Sequence, residues 1–161
     1  MKIMIFRHRD INLQLAAGQK EGNRTIKLGG LNGLCSSYIY DKTDNNSIIL
    51  NITVKTMLNI CNKYVPSEVQ IQFCKIDVEG AEKYVLLGFD FINYRPKVFC
   101  IETLINAKTK IPEYKEWVYI LLKNDYAFAY QYRINRFYYD KRIEGLKEKF
   151  NGVDYYIKIY Q

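Results

Sequence analysis

The sequence predicts a single α/β domain, a three-layer fold around a mostly parallel sheet that an antiparallel pair of strands closes. The chain has 161 residues, of which 48% are hydrophobic, which suits one compact core and is short for two domains. Strand-like and helix-like segments alternate through its middle, as they do in α/β proteins. Two of the strand-like segments are apolar enough to be buried on both faces, which is typical of parallel strands.

The N-terminal part of the chain predicts a β-hairpin and then a long loop. Residues 11–17 alternate apolar and polar side chains up to Gly18, and residues 24–28 form a second alternating run. We expect these two runs to pair with each other. Residues 31–47 are rich in Gly, Ser, Asn and Asp, a composition typical of loops, and long loops in compact domains are often functional.

The middle of the chain predicts a strand, a helix, a second strand and a second helix. Residues 48–54 form the first strand, and Thr56 is placed to cap a helix that ends at Tyr64. Residues 69–78 predict a strand buried on both faces. Residues 79–88 predict a helix with an acidic first turn and a terminal glycine.

The C-terminal third predicts one more buried strand, a helix and the closing pair of strands. The strand covers residues 97–101 and ends at Glu102, and a helix follows Pro112. Residues 126–132 and 153–159 both alternate apolar and polar side chains, so we expect them to pair with each other.

Two carboxylates follow the predicted parallel strands. Right-handed crossover connections put Asp77 and Glu102 at the carboxyl edge of the sheet, where open α/β sheets bind ligands. A plainer interpretation also stands. Asp77, Glu79 and Glu82 could only cap the following helix and satisfy its N–H groups, and Glu102 could be an ordinary surface carboxylate.

Composition and charge exclude several classes of protein. The net charge is +7, but the basic residues are scattered along the chain, so we expect no nucleic-acid partner. No apolar run approaches the ~18 to 20 residues of a membrane span, and residues 1–9 lack the features of a signal peptide, so we expect a cytoplasmic protein.

The chain has too few histidines to predict a zinc site or histidine-based catalysis. His8 is the only histidine, so a general base has to be a carboxylate, a lysine or a tyrosine. The cysteines are too far apart for a CxxC pair, and we expect reduced, buried thiols. They are Cys35, Cys61, Cys74 and Cys100.

Several motifs in the middle of the chain carry a family resemblance. They are KIDVEGAE at residues 75–82, VLLG at 85–88, Arg95-Pro96 and Ile101-Glu102. In this order and spacing they resemble the FkbM family of S-adenosylmethionine-dependent methyltransferases. Residues 54–58 resemble the family's preceding segment, although Asn59 stands where the family usually has an acidic residue. The resemblance covers residues 11–139.

The resemblance implies a Rossmann-like class I methyltransferase sheet and methyl transfer from S-adenosylmethionine to a hydroxyl of a sugar, glycolipid or polyketide. Such a displacement needs a group that accepts the hydroxyl proton, and the candidate is Asp77. Glu102, one strand away at ~5 Å, would orient the acceptor or tune the proton affinity of Asp77. Asp77 and Ala17 are the candidate cofactor contacts. The two carboxylates could instead hold Mg²⁺, but two ligands are too few to predict a metal site.

The sequence departs from the family at its N-terminal side. The family's first strand, its glycine-rich turn and its acidic second strand are absent, so the resemblance implies a truncated domain. Their loss would open one edge of the strand at residues 69–78. We therefore expect that residues 11–28 cover this edge, or that the chain is unstable, dimeric or completed by a separate piece. We also expect the isolated chain not to bind S-adenosylmethionine.

Two alternative functions remain open. The chain could be a non-catalytic remnant or a partner subunit of such an enzyme. It could also be a glycan- or nucleic-acid-binding module that uses the tyrosines and arginines of residues 126–139, although alternating spacing assigns half of these side chains to a core. Acceptor choice would depend on loops, here residues 31–47 and 135–152, which carry no chemical signature.

Overall fold

A computed structural model describes residues 10–29, 35–37, 48–104 and 112–153, and two four-stranded sheets form the frame of this part of the chain. The first sheet contains β1 (Ala16–Ala17), β2 (Gly22–Gly29), β3 (Cys35–Ser37) and β4 (Ile48–Lys55), in the order β1-β4-β2-β3. The second contains β5 (Phe73–Ile76), β6 (Val98–Glu102), β7 (Tyr126–Tyr132) and β8 (Asn135–Asp140), in the order β5-β6-β8-β7. The helices are α1 (Met57–Tyr64), α2 (Glu82–Leu87) and α3 (Val118–Leu122), with 3-10 turns at Glu113–Glu116 and Glu148–Phe150.

The first sheet corrects the expected hairpin. Residues 11–17 contribute only the two-residue β1, which runs parallel to β4 and does not pair with β2. β2 instead pairs antiparallel with β4 along its length, which leaves the other edge of β4 for β1. The Gly18 N–H donates to the Lys55 carbonyl at 2.9 Å and fixes the end of β1 to the end of β4.

The expectation of a mostly parallel sheet is wrong for the described residues, and their strand pairing does not confirm a Rossmann-like sheet. Only β1–β4 and β5–β6 pair in parallel, whereas the other strand pairings are antiparallel. Within the described residues an antiparallel pair does close this sheet, because β7 pairs with β8 across the turn at Arg133 and Ile134. The expected pairing of residues 126–132 with residues 153–159 stays a prediction. Residues 154–159 lie outside the described residues, as does most of the loop at residues 31–47.

The helices match the sequence pattern to different degrees. α1 is confirmed, and the Thr56 hydroxyl caps it by accepting the Asn59 N–H at 3.2 Å. α2 begins three residues later than expected because Glu79 and Gly80 have positive φ angles of 53° and 96°. The helix expected after Pro112 is divided into a 3-10 turn and α3.

The hydrophobic core lies on the second sheet, where α2 and α3 cover it. Its aromatic rings meet edge to face, for example Phe99 and Tyr126 with centroids 5.0 Å apart. The largest core side chains are Leu86, Phe99, Ile101, Trp117, Ile120, Leu121, Tyr126 and Tyr138. Tyr126 and Tyr138 are thus packing residues, and the Arg136 guanidinium lies 3.8 Å from the Tyr114 ring centroid. These contacts support the packing interpretation of residues 126–139.

The two sheets meet at the end of α2. Ala17 of β1 and Met57 of α1 pack against the core of the second sheet. A Cβ atom on Gly88, which ends α2, would stand 2.2 Å from the Gly18 carbonyl oxygen. Only glycine allows this close approach, and the Gly88 carbonyl also accepts the Leu58 N–H at 3.0 Å.

The described cysteines are free thiols, as expected. Cys61 and Cys100 are buried and Cys74 is half-buried, while the side chain of Cys35 lies outside the described residues. Burial raises the pKa of Cys74 to about 12, so its thiol stays protonated at neutral pH. No helix in the described ranges has the length and apolar character needed to cross a membrane.

A buried ion pair closes the end of the second sheet opposite the carboxyl edge. The Arg95 guanidinium donates to both Asp140 oxygens at 2.9 Å and to the carbonyls of Phe91 and Asn124, also at 2.9 Å. The Asp140 side chain is only 4% exposed, and the Arg95 side chain is 11% exposed. Arg95 therefore joins the segment before β6, the end of β8 and the loop after α3.

We predict that Arg95→Ala lowers the free energy of unfolding by about 3 kcal/mol or more, because it leaves a buried carboxylate without its main partner. Arg142→Ala is the matched control. Its guanidinium reaches the same carboxylate at 3.3 Å, but the side chain is 53% exposed, so we expect a loss below about 1 kcal/mol. Urea unfolding followed by circular dichroism measures both values, and equal losses would contradict the assignment.

Candidate functional site

The parallel pairing of β5 with β6 brings the predicted carboxylates together. Ile76 pairs with Ile101, so Asp77, which follows β5, lies beside Glu102, the last residue of β6. One carboxylate oxygen from each of Asp77, Glu79 and Glu102 lies within 4.8 Å of the others. The expected adjacency of Asp77 and Glu102 is confirmed, and Glu79 joins them.

The turn between β5 and α2 places Glu79 in this cluster. Glu79 has φ 53°, a left-handed conformation that costs a residue with a Cβ atom about 1 kcal/mol or more. Gly80 follows with φ 96°, where glycine is nearly free of strain. The chain therefore reverses within two residues, and the Glu79 carboxylate stays beside the strand ends.

Glu82 supports this turn from inside. Its side chain is buried, and its Oε1 accepts the N–H groups of Val78 at 3.1 Å and Gly80 at 3.3 Å. Ala81 occupies the N-cap position of α2 and makes no side-chain capping bond. Of the three carboxylates that could satisfy backbone N–H groups here, Glu82 does so, whereas the capping interpretation is wrong for Asp77 and Glu79. Burial raises the pKa of Glu82, while the backbone hydrogen bonds act in the opposite direction.

Lys75, the first residue of the KIDVEGAE motif, belongs to the site, although the sequence pattern gave it no role. Its ammonium group pairs with the Asp77 carboxylate and also donates to Asn135 Oδ1 at 3.3 Å. The hydrogen bond from Lys75 is the main cause that lowers the pKa of Asp77 and raises that of Lys75. The sequence could have indicated this contact, because Lys75 and Asp77 are two residues apart, and residues two apart on a strand share one face.

Glu102 is the buried member of the cluster. The residue is 8% exposed, and its Oε2 accepts no hydrogen bond from the described residues. Burial raises the pKa of Glu102 to about 7, and the neighbouring Asp77 carboxylate contributes to the same shift. Leaving a buried carboxylate oxygen without a hydrogen bond lowers the stability of the fold by about 1–3 kcal/mol. A partner for this atom would recover that free energy.

The structure does not place Ala17 beside these carboxylates. Ala17 lies in β1 on the other sheet, and the following Gly18 contacts Gly88 at the C-terminal end of α2. Asp77, in contrast, precedes the N-terminal end of that helix. Asp77 and Glu102, the proposed catalytic pair, therefore lie together. Ala17, the second proposed cofactor contact, lies near the other end of α2.

Two clefts in the described structure lie away from the carboxylate cluster. One, of about 440 Å³, is lined by residues 67–71 and 92–95 together with Asp140, Arg142 and Ile143. The other, of about 390 Å³, lies beside β4 and α1. Its Glu21 carboxylate already accepts from Asn59 at 2.6 Å and from Lys55 at 3.0 Å.

The residues of these clefts do not fit the cofactor that the resemblance implies. Neither cleft is lined by Asp77 or Glu102. Glu21, the carboxylate available for a ribose in the second cleft, is occupied by its own chain. Among the described residues, the turn from β5 to α2 contains the single glycine Gly80 and no glycine-rich phosphate- or nucleoside-binding loop.

Comparisons with known proteins give one match. The sequence model of a protein family described as Methyltransferase FkbM domain matches residues 5–132, well over half of the chain. No curated protein and no solved structure matches the chain.

We predict that Glu82→Ala lowers the free energy of unfolding by about 2–3 kcal/mol, because it leaves the Val78 and Gly80 N–H groups without their acceptor. Glu82→Gln keeps an acceptor oxygen and should retain most of the stability. Urea unfolding of the two variants checks this difference. A Gln variant as unstable as the Ala variant would show that the charge, and not the acceptor, holds the turn.

Proposed function

The chain belongs to the FkbM methyltransferase family, and from this premise we propose that it transfers a methyl group from S-adenosylmethionine to a hydroxyl of a sugar, glycolipid or polyketide. One observation carries the proposal. Asp77 and Glu102 lie side by side at the carboxyl ends of β5 and β6, with carboxylate oxygens within 4.8 Å. The carboxyl ends of parallel strands are where α/β proteins do their chemistry.

In this proposal the chain's own residues prepare the hydroxyl. S-Adenosylmethionine, which the family generally uses, supplies the methyl group when bound. The Asp77 carboxylate is exposed and paired with Lys75, so it is ionised and accessible to an acceptor hydroxyl. It accepts the hydrogen bond of that hydroxyl and takes its proton as the oxygen becomes a nucleophile. Glu102 lies beside Asp77, where it would orient the acceptor or tune the proton affinity of Asp77.

We propose that groups outside the described residues contribute to holding the cofactor. The two clefts do not fit it, and Ala17 lies at the far end of α2 from Asp77. Ala17 remains a proposed cofactor contact only if the cofactor reaches past α2. The contribution of the described residues is therefore the acceptor side of the reaction.

A second candidate function is that of a partner subunit, and the edge of β5 favours it. In the described structure β5 pairs only with β6, so its other edge carries no strand. Residues 11–28, expected to cover this edge, lie in the first sheet instead. Phe73 on β5 is 52% exposed. An open edge with an exposed aromatic side chain is suited to pairing with another chain, either a second copy or a complementary subunit.

We predict that Asp77→Asn lowers the turnover of methyl transfer at least ~10²-fold, because an amide cannot take the hydroxyl proton. Asp125→Asn changes an exposed aspartate of the loop between α3 and β7, and we expect turnover within a factor of two or so of the native value. Transfer of radiolabelled methyl to sugar, glycolipid and polyketide acceptors, at several millimolar S-adenosylmethionine, measures both variants. Near-native turnover in the Asn variant would remove Asp77 from the mechanism.

We predict that the chain alone binds S-adenosylmethionine no tighter than ~100 µM, or about −5.5 kcal/mol. The physical reason is that neither described cleft offers free polar groups beside the carboxylates. Isothermal titration with the cofactor and with its demethylated product measures the affinity. Tighter binding by the chain alone would exclude the partner-subunit candidate, and no methyl transfer to any of the three acceptors would exclude the enzyme.

A further inference from the structure

Three carboxylates converge at the ends of β5 and β6 with one positive partner among them. Oxygens of Asp77, Glu79 and Glu102 lie within 4.8 Å of one another. Lys75 pairs with Asp77, whereas none of the ion pairs between described residues includes Glu79 or Glu102. Negative charge is therefore concentrated here and only partly compensated.

Glu102 adds an observation that the clustering alone does not provide. The residue is only 8% exposed, and its Oε2 has no hydrogen-bond partner among the described residues. Buried carboxylates in proteins are normally paired, hydrogen-bonded or bound to a metal ion. Here the carboxyl group belongs to the cluster, and its unsatisfied oxygen is a ready ligand atom.

We propose that Asp77, Glu79 and Glu102 bind one divalent cation of the oxygen-preferring class, such as Ca²⁺, Mn²⁺ or Mg²⁺. Two oxygens bound to one ion can be no farther apart than twice the metal–oxygen distance, roughly 4.2 Å for Mg²⁺ and roughly 5 Å for Ca²⁺. Three evenly spaced oxygens around one ion must lie closer together than two, at most roughly 4.3 Å apart for Ca²⁺. The observed separations, all within 4.8 Å, reach this geometry when the exposed carboxylates close by less than about 1 Å. Mg²⁺, whose metal–oxygen distance is shorter, requires the two exposed carboxylates to close further than Ca²⁺ does.

Lys75 competes with the cation for Asp77. Its ammonium group contacts the Asp77 carboxylate and donates to Asn135 Oδ1 at 3.3 Å. Asn135 pairs directly with Glu102 in the β6–β8 ladder, so its amide oxygen is a further oxygen ligand close to the cluster. A bound cation displaces the ammonium from Asp77, and removing the ammonium favours the cation.

This site goes beyond methyl transfer and requires neither cofactor nor acceptor. The test therefore uses metal ions alone, and its result is independent of whether the chain is active. Isothermal titration of the full chain with CaCl₂ and MgCl₂, and electron paramagnetic resonance with Mn²⁺, should show one saturable site with a Kd of ~1 mM or tighter. Absence of saturable binding of all three ions up to ~20 mM would overturn the proposal.

Three variants separate a built site from diffuse attraction to surface charge. Glu79→Gln removes one exposed ligand without disturbing a described hydrogen bond, and we expect at least tenfold weaker binding. Glu116→Gln removes an equal charge at an exposed position of the 3-10 turn, and we expect unchanged binding. Equal affinities of the native chain and the Glu79 variant would contradict the site.

Lys75→Met provides a gain-of-binding test, because it removes the competing ammonium group and keeps the length of the side chain. We expect cation binding several times tighter than in the native chain, since the Asp77 carboxylate is no longer shared. A reduced affinity in this variant would contradict the arrangement. Circular dichroism and thermal unfolding of each variant show that the fold is retained.

Discussion

The parallel pairing of β5 with β6 is the constraint on which the site depends. Four residue pairs, from Phe73↔Val98 to Ile76↔Ile101, decide that Asp77 and Glu102 end side by side. A slip of one residue would move every side chain of one strand to the opposite face and separate the carboxylates. Phe99 and Ile101 are fully buried and oppose such a slip. The Arg95–Asp140 pair at the other end of β6 joins the segment before β6 to the end of β8.

Elements governed by local chemistry were predictable from the sequence, whereas distant strand partners were not. Thr56 caps α1 as expected, and the strand–turn–helix motif from β5 to α2 places Asp77 where its position in the motif indicates. The pairing of β1 with β4 is different, because residues 11–17 could alternate equally well against several strands. At the site, Asp77 and Glu102 were identified, but the roles of Glu79 and Glu82 depend on a backbone turn that propensities do not reveal.

Electrostatic repulsion is the main cost of this site, and the chain relieves it in separate ways. Two unit charges 4.8 Å apart repel by about 3–4 kcal/mol at an effective dielectric constant near 20. The Lys75 ammonium compensates Asp77, and burial with its neighbouring charges raises the pKa of Glu102 to about 7. Glu82 is held away from the cluster because its carboxylate bonds to the backbone of the turn. The charge at the strand ends can therefore change with the protonation of Glu102, whereas hydrogen bonds to Glu82 hold the backbone of the turn.

The open edge of β5 links completion of the sheet to completion of the site. Asp77 follows the strand at this edge, so any chain that pairs with β5 in the described structure also becomes a wall of the site. Such pairing would cover Phe73 and restrict solvent at Asp77, which strengthens every electrostatic interaction there. Acceptor binding and assembly would then be coupled through one strand. The methyltransferase and the partner-subunit candidates consequently involve the same surface at the edge of β5. They differ in whether another chain forms the second wall of the site.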